Sequence, residues 1–137
     1  MEKQKTRIRI GRIIYFVLAC LFAACVLVQL FVAGMGTFVN PANWAKHVLF
    51  IHLFGLNLPL LLLVSALIGS MPRWAYRNIF ALFFLIFTMY FTANMAGASP
   101  WIGALHPVIA VLLAAVSCAN VNKVNKLIFN KKGVNHS

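Results

Sequence analysis

The sequence predicts an all-α membrane protein, a four-transmembrane-helix, up-down-up-down bundle with both termini in the cytoplasm. Composition and the distribution of charge lead to this prediction. Apolar residues make up 63% of the 137 residues and charged residues only 9%, whereas soluble domains carry roughly 25% charged residues. The apolar residues are concentrated in four long segments, and the positive charge lies almost entirely on one side of them.

Each apolar segment is long enough to cross a bilayer, which takes roughly 20 residues of helix. The predicted transmembrane domain, 13–121, contains spans at about 13–33, 45–68, 78–96 and 102–121. Backbone polar groups cannot face lipid unpaired, so segments of this length are predicted to be helices. Short loops rich in Gly and Pro make consecutive helices antiparallel neighbours. The flanking residues, 1–12 and 122–137, are predicted to be basic cytoplasmic ends.

The distribution of Lys and Arg predicts the orientation, because these residues concentrate on the cytoplasmic side of membrane proteins. Eleven of the twelve lie before the first span, in the middle loop or after the fourth span: Lys3, Lys5, Arg7, Arg9, Arg12, Arg73, Arg77, Lys123, Lys126, Lys131 and Lys132. Lys46 is on the other side. The N-terminal apolar run exceeds the roughly 7–15 residues of a signal-peptide core, so it is interpreted as a retained helix.

The net charge of +11 does not indicate nucleic-acid binding. The basic residues flank apolar segments, where anionic lipid of the inner leaflet accounts for them. Beyond the fourth span, residues 121–129 place apolar side chains at helical spacing among lysines. Two interpretations stay open for this segment: a helix along the inner membrane surface, or a solvated basic tail.

Histidines are the most suggestive polar residues in the spans, because ionisable groups at membrane depth tend to be functional. His47 lies in the second span and His106 in the fourth, and these spans are parallel and diagonal in the predicted bundle. At helical rise, His47 lies about 4.5 Å below Trp44 and His106 about 7.5 Å below Trp101. Facing histidines at similar depth suit haem b with two axial imidazoles. The plainer alternative is that each bonds only a carbonyl, a headgroup or water.

His52 is an alternative haem ligand to His47. The two residues are five apart, about 140° around a helix, so a regular helix cannot aim both at one site. The sequence Asn57-Leu58-Pro59 predicts a kink that could re-aim His52. Lys46 either pairs with a haem propionate or snorkels to the outer interface.

Other polar residues in the outer halves of the spans are weaker candidates. Gln29 and Asn94 lie near the histidine level, where either could accept the second N–H of a ligating imidazole. The alternative for both, and for Thr92, is hydrogen bonding that joins helices. Tyr90 belongs to an aromatic run in the third span that is interpreted as lipid-facing and packing surface.

Several motifs together carry a family resemblance: Gln29, Gly34-Met35-Gly36-Thr37-Phe38, Trp44-Ala45-Lys46-His47, Pro72-Arg73 and Leu105-His106-Pro107. From about residue 11 to 121 the chain resembles a family of small bacterial four-helix membrane proteins of unknown function. That resemblance makes His47 and His106 the motif histidines. The layout is also similar to half of a haem A synthase or a small di-haem cytochrome b, which use acidic or histidine groups absent here.

These observations lead to a hypothesis of a multi-pass protein of the bacterial inner membrane that binds haem b for electron transfer or haem handling. It would require an unidentified redox partner. The alternatives are a non-enzymatic membrane subunit or small-molecule transporter with a polar outer cavity, and a structural partner of a larger complex. A stand-alone enzyme is not expected, because Glu2 is the one acidic residue and no G-x-S-x-G motif is present.

Overall fold

The computed structural model describes residues 2–129, which form an all-helical bundle. Its helices are α1 (Glu2–Phe38), α2 (Asn43–Phe54), α3 (Asn57–Ile68), α4 (Arg73–Met95) and α5 (Pro100–Phe129). Because α2 and α3 together make one interrupted span, Asn43–Ile68, the described residues contain four helices long and apolar enough to cross a membrane. The prediction of four membrane-length helices is confirmed.

The first and last helices extend well beyond the apolar segments that predicted them. At 1.5 Å per residue, the 37 residues of α1 measure about 55 Å, against a hydrocarbon thickness of about 30 Å. Residues 121–129, for which two interpretations were open, continue α5 as helix to Phe129. The rest of the predicted basic tail, with Lys131, Lys132 and His136, lies outside the described residues.

The helices form a ring in which the second span and α5 lie on a diagonal. α1 packs against α2, α3 and α5, and α4 packs against α3 and α5. No Cα atom of α2 or α3 lies within 8 Å of a Cα atom of α5. The predicted diagonal relation of the histidine-bearing helices therefore holds in the structure.

Pro59 interrupts the second span. Proline has no N–H to donate to the carbonyl four residues earlier, here that of Gly55, and its ring crowds that carbonyl. α2 accordingly ends at Phe54 and α3 begins at Asn57, so the helix is interrupted where the kink was predicted. Past the break α3 packs on α4, whereas no Cα atom of α2 lies within 8 Å of one in α4.

The end of the bundle that bears Arg12, Arg73 and Lys123, here the basic end, is closed by packing and hydrogen bonds. Tyr15 Oη donates to Asn120 Oδ1 at 3.0 Å, and Asn78 Nδ2 donates to the same oxygen at 3.2 Å. These bonds join α1, α4 and α5. The opposite end, which bears Trp44, His47 and His106, is called the histidine end, and it is open.

Candidate cofactor cavity

The histidine end contains a cavity of about 860 Å³ between all four spans. Ligand sites in proteins typically measure about 300–1,000 Å³ and are mostly apolar with a few polar groups. This cavity has that character, because aliphatic and small side chains of α1, α2, α4 and α5 make up most of its wall. His47, His52 and His106 all line it. The structure therefore brings the three predicted histidines together around one space.

His47 is held against α1 by two reciprocal hydrogen bonds. Its Nδ1 lies 3.3 Å from the backbone oxygen of Gln29, and Gln29 Nε2 donates to the backbone oxygen of His47 at 2.7 Å. Because a carbonyl oxygen can only accept, Nδ1 carries the proton and Nε2 keeps its lone pair. The Trp44 ring packs edge-on against the imidazole, with centroids 5.4 Å apart. The orientation of His47 is thus fixed on two sides.

His106 is anchored in the same way to the neighbouring helix α4. Its Nδ1 lies 3.1 Å from the backbone oxygen of Met89 and 3.1 Å from Thr92 Oγ1. The buried Thr92 hydroxyl lies within 3.1 Å of the carbonyls of Thr88 and Met89, so it donates within its own helix and accepts from the imidazole. His106 therefore also carries its proton on Nδ1 and its lone pair on Nε2.

The two histidines share an arrangement typical of metal-bound imidazoles. A ligating histidine usually donates its second ring N–H to a carbonyl or carboxylate, which fixes the tautomer and orients the ring. Here each Nδ1 has a backbone oxygen of an adjacent helix, while neither Nε2 makes a hydrogen bond within residues 2–129. The diagonal placement on α2 and α5 keeps the two backbones more than 8 Å apart. Two imidazoles on diagonal helices of one mostly apolar cavity are a ligand set that could hold haem iron.

Within the described residues, no cluster of three or more His, Cys, Asp or Glu side chains could hold a metal ion. Haem iron needs only two protein ligands, because the porphyrin supplies the others. His47 and His106 are the residues of this cavity that could hold such a group.

His52 occupies a different position in the cavity wall. Its Nδ1 lies 3.2 Å from Tyr90 Oη, and the two rings stack with centroids 5.6 Å apart and planes 27° apart. This pair bridges α2 and α4 on the side where their backbones separate. His52 therefore contacts α4, whereas His47 contacts α1.

The remaining predicted site residues differ in their hydrogen-bond partners. Gln29 bonds His47 directly, and its own Oε1 is buried with no hydrogen-bond partner among the described residues. Asn94 lines the cavity, but its Nδ2 donates to the Tyr90 carbonyl of its own helix at 2.9 Å. Lys46 is exposed, and its Nζ donates to Asn43 Oδ1 at 2.9 Å. Lys46 does not line the described cavity.

Sequence reasoning missed the contacts that Met89, Tyr90 and Thr92 make with the histidines. It predicts Tyr90 in a lipid-facing aromatic run and Thr92 in bonds between helices. One available signal is the single tyrosine among the phenylalanines of the outer half of α4. The Met89 carbonyl leaves no signal, because a backbone acceptor is independent of residue type.

One comparison with known proteins gives a match. Residues 29–96 match a family of unknown function, DUF6220. The matched segment contains Gln29 and the Trp44-Ala45-Lys46-His47 motif, and it ends before Leu105-His106-Pro107. No curated protein and no solved structure matches the chain significantly.

Proposed function

We propose that this protein binds haem b through His47 and His106 and serves electron transfer or haem handling in a bacterial inner membrane. The observation that carries the proposal is the matched anchoring of the two imidazoles. Each donates Nδ1–H to a carbonyl of a neighbouring helix and offers Nε2 at the wall of one shared cavity.

The side chains and carbonyls around the cavity would set the basicity and rotation of the haem ligands and influence the reduction potential of the haem. Hydrogen bonding of the distal N–H raises the basicity of an imidazole ligand and fixes its rotation. The carbonyls of Gln29 and Met89 and the hydroxyl of Thr92 supply those bonds. The apolar wall limits water, which influences the reduction potential. Haem would contribute one-electron chemistry, and the protein would control its environment.

The basic end is proposed to face the cytoplasm, because eleven of the twelve Lys and Arg residues lie on that side. The cavity then lies toward the outer leaflet. An electron donor and acceptor are required for redox function, and we propose that at least one is a membrane partner.

Absorption spectra of the detergent-purified protein reconstituted with haemin would test haem binding. We expect a haem b spectrum at one haem per chain, lost in His47→Leu and in His106→Leu. His52→Leu is the matched control, because it removes a cavity histidine that bonds Tyr90, and it should retain haem. A wild-type protein that binds no haemin would contradict the proposal.

A second candidate is a small-molecule transporter or non-enzymatic membrane subunit. The size of the cavity, about 860 Å³, favours it, because a space of this size with a few polar side chains in its wall could admit a solute. Histidines alone could then supply groups that titrate near neutral pH. A pH-dependent flux into liposomes that is lost in His47→Leu, in protein that binds no haemin, would favour this candidate over haem binding.

A further inference from the structure

His52 has an exposed imidazole at a depth where exposure is costly. The residue lies about 12 Å along the helix from Trp44, within the length of a span and away from its polar end. Ionisable side chains in hydrocarbon are expensive and usually paired or functional. Tyr90 satisfies only Nδ1, and Nε2 makes no hydrogen bond within the described residues. A polar ligand that hydrogen-bonds His52 Nε2 would remove the energetic cost of exposing this nitrogen to hydrocarbon.

His52 is exposed, and the His52–Tyr90 pair lies between two neighbouring helices of the bundle. The second span and α4 are neighbours in the ring of helices, so a gap between them lies on the perimeter of the bundle. That gap exists along α2, where the two backbones stand more than 8 Å apart and the His52–Tyr90 pair spans the opening. The cavity wall beside the pair contains Ile51, Ile86 and Met89. An apolar molecule could therefore reach His52 from the bilayer.

The hydrogen-bonding capacity of the pair defines the head group that it would bind. If Tyr90 donates to Nδ1, neutral His52 presents Nε2–H as a donor; if Nδ1–H donates to Tyr90, Nε2 becomes an acceptor. The pair can thus bond either a ring carbonyl or a ring hydroxyl by changing tautomer. Aromatic rings that already stack at 5.6 Å also offer a surface for a flat ring.

We propose that the cleft between α2 and α4 binds the ring of a membrane-soluble quinone or hydroquinone at His52 and Tyr90. The ligand enters from the lipid, its tail stays in the bilayer, and its ring oxygen bonds His52 Nε2. His52 and Tyr90 are not the proposed iron ligands, so variants of either residue leave both iron ligands in place.

Electron transfer from this site rests on the proposed haem function. Oxidation of one hydroquinone to a quinone breaks two O–H bonds and releases two protons and two electrons. A bound haem would supply the one-electron chemistry that takes up these electrons one at a time, with an external acceptor reoxidising it between transfers. His52 Nε2 accepts each hydroxyl proton and releases it to water at the cavity mouth.

Photolabelling of the full chain in lipid nanodiscs tests the site without requiring haem. The probe is an azido-substituted decylubiquinone, with decylubiquinone as competitor, and labelled peptides are mapped by mass spectrometry. We expect label on α2 and α4 near His52 and Tyr90. Each of the variants His52→Leu and Tyr90→Phe should weaken competition about tenfold, the loss of roughly one good hydrogen bond.

The matched control is Phe91→Leu, which alters an exposed aromatic side chain next to Tyr90 that does not line the cavity. It should leave labelling unchanged. Label located elsewhere, or competition unchanged in both site variants while they elute as folded protein, would overturn the proposal.

A second measurement separates this inference from haem binding. Stopped-flow reduction of the haem by decylubiquinol should slow at least about tenfold in His52→Leu, while reduction by dithionite gives the same spectrum as wild type. His106→Leu should lose haem and keep the photolabel. Haem binding without the photolabel would overturn the quinone site alone, and the photolabel without haem would overturn the haem proposal alone.

Discussion

At the basic end, Tyr15 and Asn78 converge on Asn120 and join three helices, whereas at the histidine end the helices stand apart around a cavity of about 860 Å³. Both ends place polar side chains within spans. At the basic end Asn120 Oδ1 accepts hydrogen bonds from both Tyr15 and Asn78, so the three side chains bond one another. At the histidine end each histidine bonds the protein through Nδ1, and its Nε2 makes no hydrogen bond within residues 2–129. The difference separates a polar network that satisfies its own hydrogen bonds from one that retains hydrogen-bonding capacity, as the proposed ligand site requires.

The break at Pro59 accounts for much of this contrast. On the side of the break toward the basic end, α3 packs on α4 and the Leu62 side chain of α3 is fully buried. On the side toward the histidine end, α2 packs against α1 but is separated from α4, so its histidines line the cavity. Changes at the basic end should therefore mainly affect stability, and changes at the histidine end should mainly affect binding.

The largest expected effect on stability comes from Gly11, where α1 approaches the end of α3. A Cβ atom at Gly11 would lie only 2.4 Å from the backbone nitrogen of Gly69, so the helices would have to separate. We expect Gly11→Val to lower the free energy of unfolding by about 3 kcal/mol, measured by steric trapping in bicelles. Gly34→Ala in the same helix is the control, because among the described residues no atom outside its own stretch of helix lies within 4 Å of the position that its added methyl group would occupy. It should change stability by less than about 1 kcal/mol, and equal losses in both variants would refute the close-packing account.

Straightening the second span should close the cavity. Pro59→Ala restores an N–H for the Gly55 carbonyl, which favours a continuous helix and moves α2 toward α4. We expect haemin affinity to fall at least about tenfold, together with a shorter distance between spin labels on α2 and α4. Pro107→Ala offers a comparison in α5, which continues as one helix through its proline. An unchanged label distance in Pro59→Ala would show that the break does not hold the cavity open.

Removing one hydroxyl at each end compares the two polar networks directly. Tyr15→Phe takes a fully buried donor from Asn120 and should cost about 1 kcal/mol of unfolding free energy. Tyr90→Phe removes an exposed hydrogen bond to His52 and should cost less than about 0.5 kcal/mol. Both values come from the same unfolding assay in bicelles. A larger loss in Tyr90→Phe than in Tyr15→Phe would reverse the assignment of structural and ligand-binding ends.

A small gain is expected at Ser70, which follows α3 at the basic end with a φ of 43°. This left-handed conformation costs a non-glycine residue roughly 1 kcal/mol. Ser70→Gly should therefore raise the free energy of unfolding by up to about 1 kcal/mol and leave haemin affinity unchanged. A drop in haemin affinity would indicate that the two ends are coupled.

The features that the sequence predicted correctly depend on local or one-dimensional properties. Four apolar runs predicted the membrane-length helices, and Pro59 predicted the break, because bilayer thickness and a missing N–H act on neighbouring residues alone. Short loops predicted the diagonal relation of the second span and α5. The continuation of α5 to Phe129 stayed open, because amphipathic spacing fits both a helix and a tail.

The fine structure of the site depended on packing between helices. The partners of His47 and His106 are backbone oxygens of Gln29 and Met89, and helix rotation decides which carbonyl faces which ring. The separate environments of His47 and His52 likewise follow from how α2 packs against α1 on the N-terminal side of the break. Gln29 was predicted as a partner of a histidine, but the atom that receives the N–H belongs to its main chain.

Electron paramagnetic resonance of the ferric, haemin-reconstituted protein tests the central claim most directly, because it reports the axial ligands of the iron. The account predicts a low-spin signal typical of two imidazole ligands, converted to high spin or lost in both His47→Leu and His106→Leu and preserved in His52→Leu. A high-spin wild-type spectrum, or a low-spin signal that survives both substitutions, would contradict it.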